Sequence, residues 1–239
     1  MSRYIDHLQE LSSKETFNRK KDYIDYNLKS IFESIGYKSI KVLEIGPGLG
    51  EFESFLNDKK VLDVDIVDND KSVIDFVSKK YKIRNKFLIN KVSNLDKKLL
   101  NYDLIFLMQV LEHLQNSEYE VILKTLYKHL KPKGHIVIVV PNGNNPLGLV
   151  ERYADLQHTN CFTQQSLKDL VNLSKIKNFE MEIKGYQIPP YGPINIVRIF
   201  FQKILHFFLF LIMVVNGGLF FKTMTPNIML IIRKNYFKM

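Results

Sequence analysis

A run of alternating glycines, KVLEIGPGLG, carries the residues of this chain best suited to bind a ligand. Glu44 stands two positions before Gly46, and Gly48 and Gly50 follow at alternate positions. Glycines at a turn allow positive φ angles and let a ligand lie almost against the backbone. A helix beginning directly afterwards offers unpaired N–H groups. An acid before the glycines can hold a cationic group. The run therefore predicts a ligand pocket where a buried strand ends.

The spacing of this turn separates two kinds of cofactor site. A dinucleotide turn would need a glycine at position 51, where the chain has Glu51. The pattern E-x-G-x-G-x-G resembles the first motif of class I S-adenosylmethionine-dependent methyltransferases, whose cofactor carries an ammonium, a sulfonium and a ribose. A glycine-rich structural turn in another α/β protein is the alternative. The resemblance implies these cofactor-binding residues: Glu44, Gly46, Pro47, Gly48 and Gly50.

A second acid is expected just past the next strand, residues 61–67, to take both ribose hydroxyls. Asp68 fits best, because it follows that strand and lies 22 residues after Gly46. Asp65 is the second choice. Asn69, next in sequence, is assigned to the same pocket.

The adenine site departs from the family pattern. Related methyltransferases often carry an acid after the third strand, here predicted at 87–89. This chain has Lys91, Val92, Ser93 and Asn94 at the nearest positions. Adenine contacts are therefore expected from the backbone around Val92 and Ser93, or from Asn94.

The apolar strand YDLIFLM, residues 102–108, runs into Q-V-L-E-H-L. This strand and motif resemble the same region of small-molecule methyltransferases of this class. Ligands lie outside the carboxyl ends of the strands in such sheets, so Gln109 is expected to face the cofactor. Glu112 and His113 are expected to order the loop, bind substrate or transfer a proton. A structural role, satisfying N–H groups at a helix start, stays open for this pair.

A further motif lies in residues 151–167. Its D-x-x-H-x-x-x-F-(S/T) pattern resembles sugar and small-metabolite methyltransferases. His158 is the preferred general base for an acceptor hydroxyl, with His113 as a second catalytic candidate, because imidazole titrates near neutral pH. A hydrogen-bonding role that holds the loop is the alternative for His158. Arg152, Tyr153 and Asp155 are candidate substrate contacts.

The predicted fold is one α/β domain. Its Rossmann-like, doubly wound sheet has seven mostly parallel strands and an antiparallel last strand near one edge. The chain divides as follows: N-terminal helical cover at 1–37, cofactor-binding core at 38–188, hydrophobic helical insertion at 189–224, and last strand and tail at 225–239.

The helical element at 194–218 is the most hydrophobic part of the chain. Its unbroken apolar core, residues 207–215, is shorter than the ~20 residues of a spanning helix. A last strand that rejoins the sheet also argues against a crossing. The element is interpreted as a lid, a dimer contact, buried packing or an in-plane membrane helix.

Bulk properties fit a folded globule, with 239 residues, 46% hydrophobic residues and a net charge of +9. The single cysteine excludes an intrachain disulfide and a cysteine-based metal cluster, and no metal is expected. The first 19 residues lack the apolar segment of a secretory signal, which favours the cytoplasm, with the inner membrane face as an option. The lysines are scattered, so nucleic acid is not an expected partner.

The combined motifs predict an S-adenosylmethionine-dependent methyltransferase. The resemblance favours O-methylation of a sugar or related metabolite in cell-surface polysaccharide biosynthesis. A quinone- or lipid-like acceptor is favoured by the hydrophobic insertion, and a small phosphorylated acceptor by the positive charge. A non-catalytic cofactor-binding scaffold is the alternative from another class.

Overall fold

A computed structural model describes residues 4–148, 153, 155–217, 221 and 223–236. The helices are α1 (Tyr4–Leu11), α2 (Lys14–Ile35), α3 (Glu51–Asp58), α4 (Lys71–Lys80), α5 (Asn116–Lys128), α6 (Gln164–Leu173) and α7 (Pro193–Val215). The strands are β1 (Val42–Ile45), β2 (Val64–Asp68), β3 (Asn85–Leu88), β4 (Tyr102–Met108), β5 (Leu130–Pro141), β6 (Phe179–Gly185) and β7 (Asn227–Lys234). Short 3₁₀ turns cover Val92–Asn94 and Leu111–His113.

The seven strands form one sheet in the order β3-β2-β1-β4-β5-β7-β6. Strand β7 lies antiparallel between β5 and β6, while the pairs from β3 to β5 are parallel. This arrangement confirms the predicted fold class. The apolar runs of β4 and β5 are largely buried, as expected for strands covered on both faces.

Each face of the sheet carries its own apolar core. Helices α5 and α6 contribute Leu126 and Leu167 to one of them. Helices α2 and α3 contribute Leu28 and Phe52 to the other core. In that core the ring centroids of Phe52 and Phe106 are 4.3 Å apart. The sheet is therefore held between two helical layers, and its carboxyl edge is left for ligands.

The N-terminal helices reach the glycine turn. Ile5 of α1 packs with Leu49 in a small apolar cluster, and Lys20 of α2 forms a 2.9 Å ion pair with Glu51. The ring of Tyr23 on α2 lies tilted against that of Tyr186, which follows β6, with centroids 5.8 Å apart. These contacts fix the N-terminal cover against the first crossover of the sheet and the segment after β6.

Two features differ from the sequence predictions. The sequence K-P-K-G of residues 131–134 predicts a helix stop and a turn before a fifth strand at 135–140. These residues instead belong to β5, where the register shifts between Tyr102 and Leu104 of β4 and Lys133 has a positive φ. Helix α7 is continuous over 23 residues and none of its described side chains is buried, so it is not the buried core helix that was one of its interpretations. By length and composition alone, the helix could cross a membrane. The apolar core predicted at 207–215 was too short for that.

Candidate active site

The carboxyl ends of β1, β2 and β4 meet at one edge of the sheet. Ile45 is level with Val67 of β2 and Leu107 of β4 in the parallel register. The residues that follow these strands are therefore neighbours in space. Gly46, Asp68 and Gln109 thus lie at the same edge of the sheet, and their shared role in one pocket stays a prediction.

The glycine turn is shaped by close contacts. Gly46 has φ +72°, and a Cβ there would lie 2.6 Å from Cγ2 of Val110. Gly50 has φ +85°, and a Cβ there would lie 2.7 Å from the Tyr81 ring. At Gly48, with φ +54°, the nearest atom to an added Cβ is a Glu51 carboxylate oxygen at 3.8 Å. Close protein contacts thus require glycine at positions 46 and 50, whereas a Cβ at position 48 would meet only an ordinary van der Waals contact.

A pair of buried acids lies beside this turn. Glu44 on β1 and Glu53 on α3 are both almost fully buried. Burial raises the pKa of each carboxyl group, and the charge of Glu53 raises the pKa of Glu44 further. Apart from hydrogen bonds between the two side chains and to the Glu53 backbone, Glu44 Oε2 and both Glu53 oxygens have no partner among the described residues. A cationic group brought next to the pair would favour its ionised form.

The sequence analysis did not single out Glu53. The available signal was an acid in the first turn of the helix that follows the glycines, on the face that turns towards β1. Periodicity identifies that face only once the helix has been docked against the sheet.

The two candidate ribose acids have different environments. Asp65 is fully buried and accepts hydrogen bonds from the Arg84 guanidinium and the Tyr102 hydroxyl, at 2.5 to 2.7 Å. Asp68 ends β2, and its carboxylate accepts a 2.8 Å hydrogen bond from the backbone N–H of Asp70. Burial raises the pKa of Asp68 to about 6. Asp65 is thus committed to a structural network, and Asp68 has acceptor capacity left for a ligand.

The remaining predicted cofactor residues surround this edge. Pro47 is buried in the glycine turn, and Asn69 is exposed next to Asp68. Val92 is half-buried and Ser93 exposed in the short 3₁₀ turn after β3. Gln109 has a positive φ of 55°, and its backbone N–H donates to the Val139 carbonyl at 2.8 Å.

Glu112, His113 and His158 form a compact cluster next to the glycine turn. One nitrogen or oxygen atom of each lies within 4.8 Å of those of the other two. The imidazole rings of His113 and His158 meet edge to face, with centroids 4.8 Å apart. Burial lowers the pKa of His113, and the neighbouring His158 lowers it further. Burial raises the pKa of the Glu112 carboxyl group to about 7, and nearby Asp155 adds to the rise.

Hydrogen bonds to one backbone carbonyl bring the two distant parts of this cluster together. The backbone N–H and hydroxyl of Thr159 both donate to the Glu112 carbonyl, at 2.8 and 3.0 Å. Asp155 accepts a 2.8 Å hydrogen bond from the backbone N–H of Gln157, which shapes the loop that holds His158. Tyr153 is exposed at the surface, and Arg152 lies outside the described residues.

Comparison with known proteins decides the family. Residues 3–178 match the family described as a methyltransferase domain, which is well over half of the chain. The chain belongs to this methyltransferase family. It is an S-adenosylmethionine-dependent methyltransferase with S-adenosylmethionine as its cofactor, as the sequence predicted. Comparison of the sequence with curated proteins gives no significant match.

Solved structures share the fold of the methyltransferase at low sequence identity. A S-adenosylmethionine-dependent methyltransferase from Archaeoglobus fulgidus has a TM-score of 0.61 and 20% identity, with 92% of this chain and 97% of that chain covered. The plantazolicin methyltransferase BamL, solved with a triazolic desmethylPZN analog and SAH, has a TM-score of 0.64 and 15% identity. That comparison covers 97% of this chain and 91% of the BamL chain.

Proposed function

We propose that the methyltransferase transfers a methyl group to an oxygen of a small acceptor, a sugar or related metabolite of cell-surface polysaccharide biosynthesis. The observation that carries this proposal is the imidazole pair of His113 and His158, 4.8 Å apart next to the cofactor turn. A hydroxyl acceptor must lose its proton during the transfer, and neutral imidazole is well suited to take it.

Three features of the glycine turn support the proposed contacts to S-adenosylmethionine. They are the uncrowded position of Gly48, the buried acids Glu44 and Glu53, and the remaining acceptor capacity of Asp68, which suit a ligand with an ammonium and a ribose. Glu44 would hold the cationic end, and Asp68 the ribose hydroxyls, aided by the other proposed contacts. These are Gly46, Pro47, Gly50, Asn69, Val92, Ser93 and Gln109.

The bound cofactor supplies a methyl group already activated by its sulfonium, so the protein mainly positions the acceptor and manages one proton. In this proposal His158 takes the hydroxyl proton. His113 stays neutral because burial lowers its pKa, and it orients His158 through the ring contact. Glu112, Arg152, Tyr153 and Asp155 are proposed to bind the acceptor or to shape the loop around it.

The His158→Ala variant tests this role. We expect the rate of transfer from radiolabelled cofactor to a panel of sugars to fall at least ~100-fold, the typical contribution of a positioned base. Cofactor affinity by calorimetry should change little. The matched control is His129→Gln, because His129 pairs with Asp96 outside the cluster. Full transfer by His158→Ala would remove His158 from the mechanism.

A second candidate acceptor, a lipid-like molecule, is favoured by α7. Large apolar side chains on this helix, among them Phe200, Phe207 and Ile212, are more than half exposed. A cavity of about 760 Å³ lies between α7 and the loops around the carboxyl edge of the sheet. Its lining includes Leu147, Ile188, Phe201, Leu205, Met224 and Pro226. An acceptor with a long apolar chain would find both a groove and an exposed apolar surface here.

The connections of α7 favour a helix lying in the membrane plane over one that crosses it. The strands on either side of the helix pair with each other at Gly185 and Ile228, so both ends of α7 return to one edge of the sheet. The segment from α7 to β7 forms neither helix nor strand in its described residues. Returning it through hydrocarbon would leave backbone groups unsatisfied, at several kcal/mol each. We therefore propose peripheral contact at the inner, cytoplasmic face of the membrane, to which the net charge of +9 would contribute.

Flotation with vesicles of anionic phospholipid tests this second candidate. We expect the native protein to float, and the Phe200→Asp/Phe207→Asp variant to stay at the bottom of the gradient. Leu173→Asp, an exposed apolar position on α6, is the matched control. Equal flotation of all three proteins would contradict the role of α7. A stable homodimer by light scattering, lost in the same double variant, would assign the helix to a subunit contact instead.

A further inference from the structure

The cluster of Glu112, His113 and His158 contains a carboxylate with no visible structural use. Glu112 is fully buried, and apart from its own backbone no described residue offers a hydrogen bond to either carboxylate oxygen. A buried, unpaired carboxylate is costly unless a cation or proton neutralises it. The fold therefore maintains a site that favours positive charge.

The two histidines of the cluster supply nitrogen donors beside this carboxylate. Nδ1 of His113 is buried without a hydrogen-bonding partner among the described residues, and the His158 ring meets it edge to face. One atom from each of the three side chains lies within 4.8 Å of the others. An ion with tetrahedral bonds of about 2.1 Å sets its ligands roughly 3.4 Å apart, so a small inward rotation of the side chains would close the set.

We propose that Glu112, His113 and His158 bind one divalent first-row transition ion, such as Zn²⁺, Mn²⁺ or Fe²⁺. Two imidazoles and one carboxylate suit these ions, whereas Mg²⁺ and Ca²⁺ prefer oxygen ligands alone. Three protein ligands leave coordination positions open, as in catalytic rather than structural metal sites. No metal was expected from the sequence. The two histidines stand far apart in the chain, and hydrogen bonds such as those from Thr159 to the Glu112 carbonyl bring them together.

The role of the ion rests on the proposed methyl transfer, but its binding does not. An acceptor hydroxyl bound at an open position would have a lowered pKa, and its proton would pass to water. The oxygen then forms its bond to the methyl carbon, while the electron pair of the broken carbon–sulfur bond stays on sulfur. A His158 ring that ligates an ion has no lone pair left to act as the general base. The two roles of His158 therefore exclude each other.

Metal binding to chelator-treated protein tests the site directly. We expect calorimetry to give one Zn²⁺ per chain. Co²⁺ should give visible absorption bands in the native protein, and Glu112→Gln and His158→Ala should bind each ion at least ~100-fold more weakly. Glu120→Gln is the matched control, since this exposed acid on α5 pairs with Lys124. Circular dichroism and the thermal shift with SAH confirm that each variant is folded and binds cofactor.

Native protein that binds well below one ion per chain, or Glu112→Gln that binds as tightly as native, would overturn the metal site. Transfer activity that survives chelation would then return His158 to the role of base. If the protein binds the ion but transfers no methyl group to any hydroxyl acceptor, the proposed acceptor class is refuted and the metal site still stands.

Discussion

Replacing Asp68 with asparagine measures the electrostatics of the cofactor pocket. Burial raises the pKa of Asp68 from 3.8 to about 6, although the backbone N–H groups of Asp70 and Asn69 favour the ionised form. A shift of this size corresponds to roughly 3 kcal/mol between the folded and unfolded states. The group is partly exposed, so solvent screening lowers the expected value to about 2 kcal/mol.

The sign follows from the direction of the shift. Because the pKa is raised in the folded state, the stabilisation from Asp68 is present below about pH 4 and is lost as the pH rises through about 6. D68N has no such titration. The unfolding free energy of the native protein, relative to that of D68N, should therefore fall by about 2 kcal/mol between about pH 4 and pH 7. Urea unfolding at several pH values measures this difference.

The same substitution tests the ribose contact. Hydrogen bonds to a carboxylate contribute about 1.5–3 kcal/mol each, so D68N should bind the cofactor product SAH about 10- to 100-fold more weakly at neutral pH. Below about pH 6 the native protein should lose affinity as Asp68 is protonated, and the gap between the two proteins should narrow. Calorimetric titrations at each pH follow this convergence.

Asp75→Asn provides the control, because Asp75 is exposed on α4 and pairs with Lys71. It should leave SAH affinity unchanged. Equal SAH affinity in D68N and native protein would refute the ribose assignment of Asp68. A weakened affinity whose ratio to native stays constant with pH would refute the raised pKa instead.

Three further substitutions separate folding from ligand binding around the glycine turn. Gly46→Ala combines a positive φ with a Cβ 2.6 Å from Val110, so urea unfolding should show a loss of about 2–4 kcal/mol. Gly48→Ala has open space for its Cβ and should cost only about 1 kcal/mol, yet calorimetry should show SAH affinity at least ~10-fold weaker. Glu53→Gln removes a buried acid whose pKa is raised. The free energy of unfolding in urea should therefore fall less for this variant than for native protein between about pH 5 and pH 8.

The sheet could be predicted because its signals are local. The apolar runs of β1 and β4 are bounded by turn chemistry, and the β4 boundaries, Tyr102 to Met108, were predicted without error. The predicted start of β5 was wrong, because a register shift between Tyr102 and Leu104 lets Lys131, Pro132 and Gly134 continue the strand. Such a shift depends on the neighbouring strand, so it cannot be predicted from the sequence of one segment alone.

The candidate site was harder to predict because its members meet only through tertiary contacts. The sequence named Glu112, His113 and His158 separately and favoured a base over a ligand. Their proximity depends on where the Thr159 hydrogen bonds hold the loop. The exposure of α7 likewise depends on which surfaces the rest of the chain leaves uncovered.

Val110 joins the cofactor turn to the histidine cluster. Its Cγ2 methyl occupies the space that a side chain at position 46 would need, and it stands two residues before Glu112. The glycine turn and the 3₁₀ turn of Leu111–His113 are therefore packed against each other. Methyl transfer requires reacting atoms about 3–3.5 Å apart, so this contact ties the place where the methyl donor binds to the place where the acceptor oxygen must lie. The requirement for glycine at position 46 is thus set by its contact with Val110, the residue that leads into the proposed acceptor site.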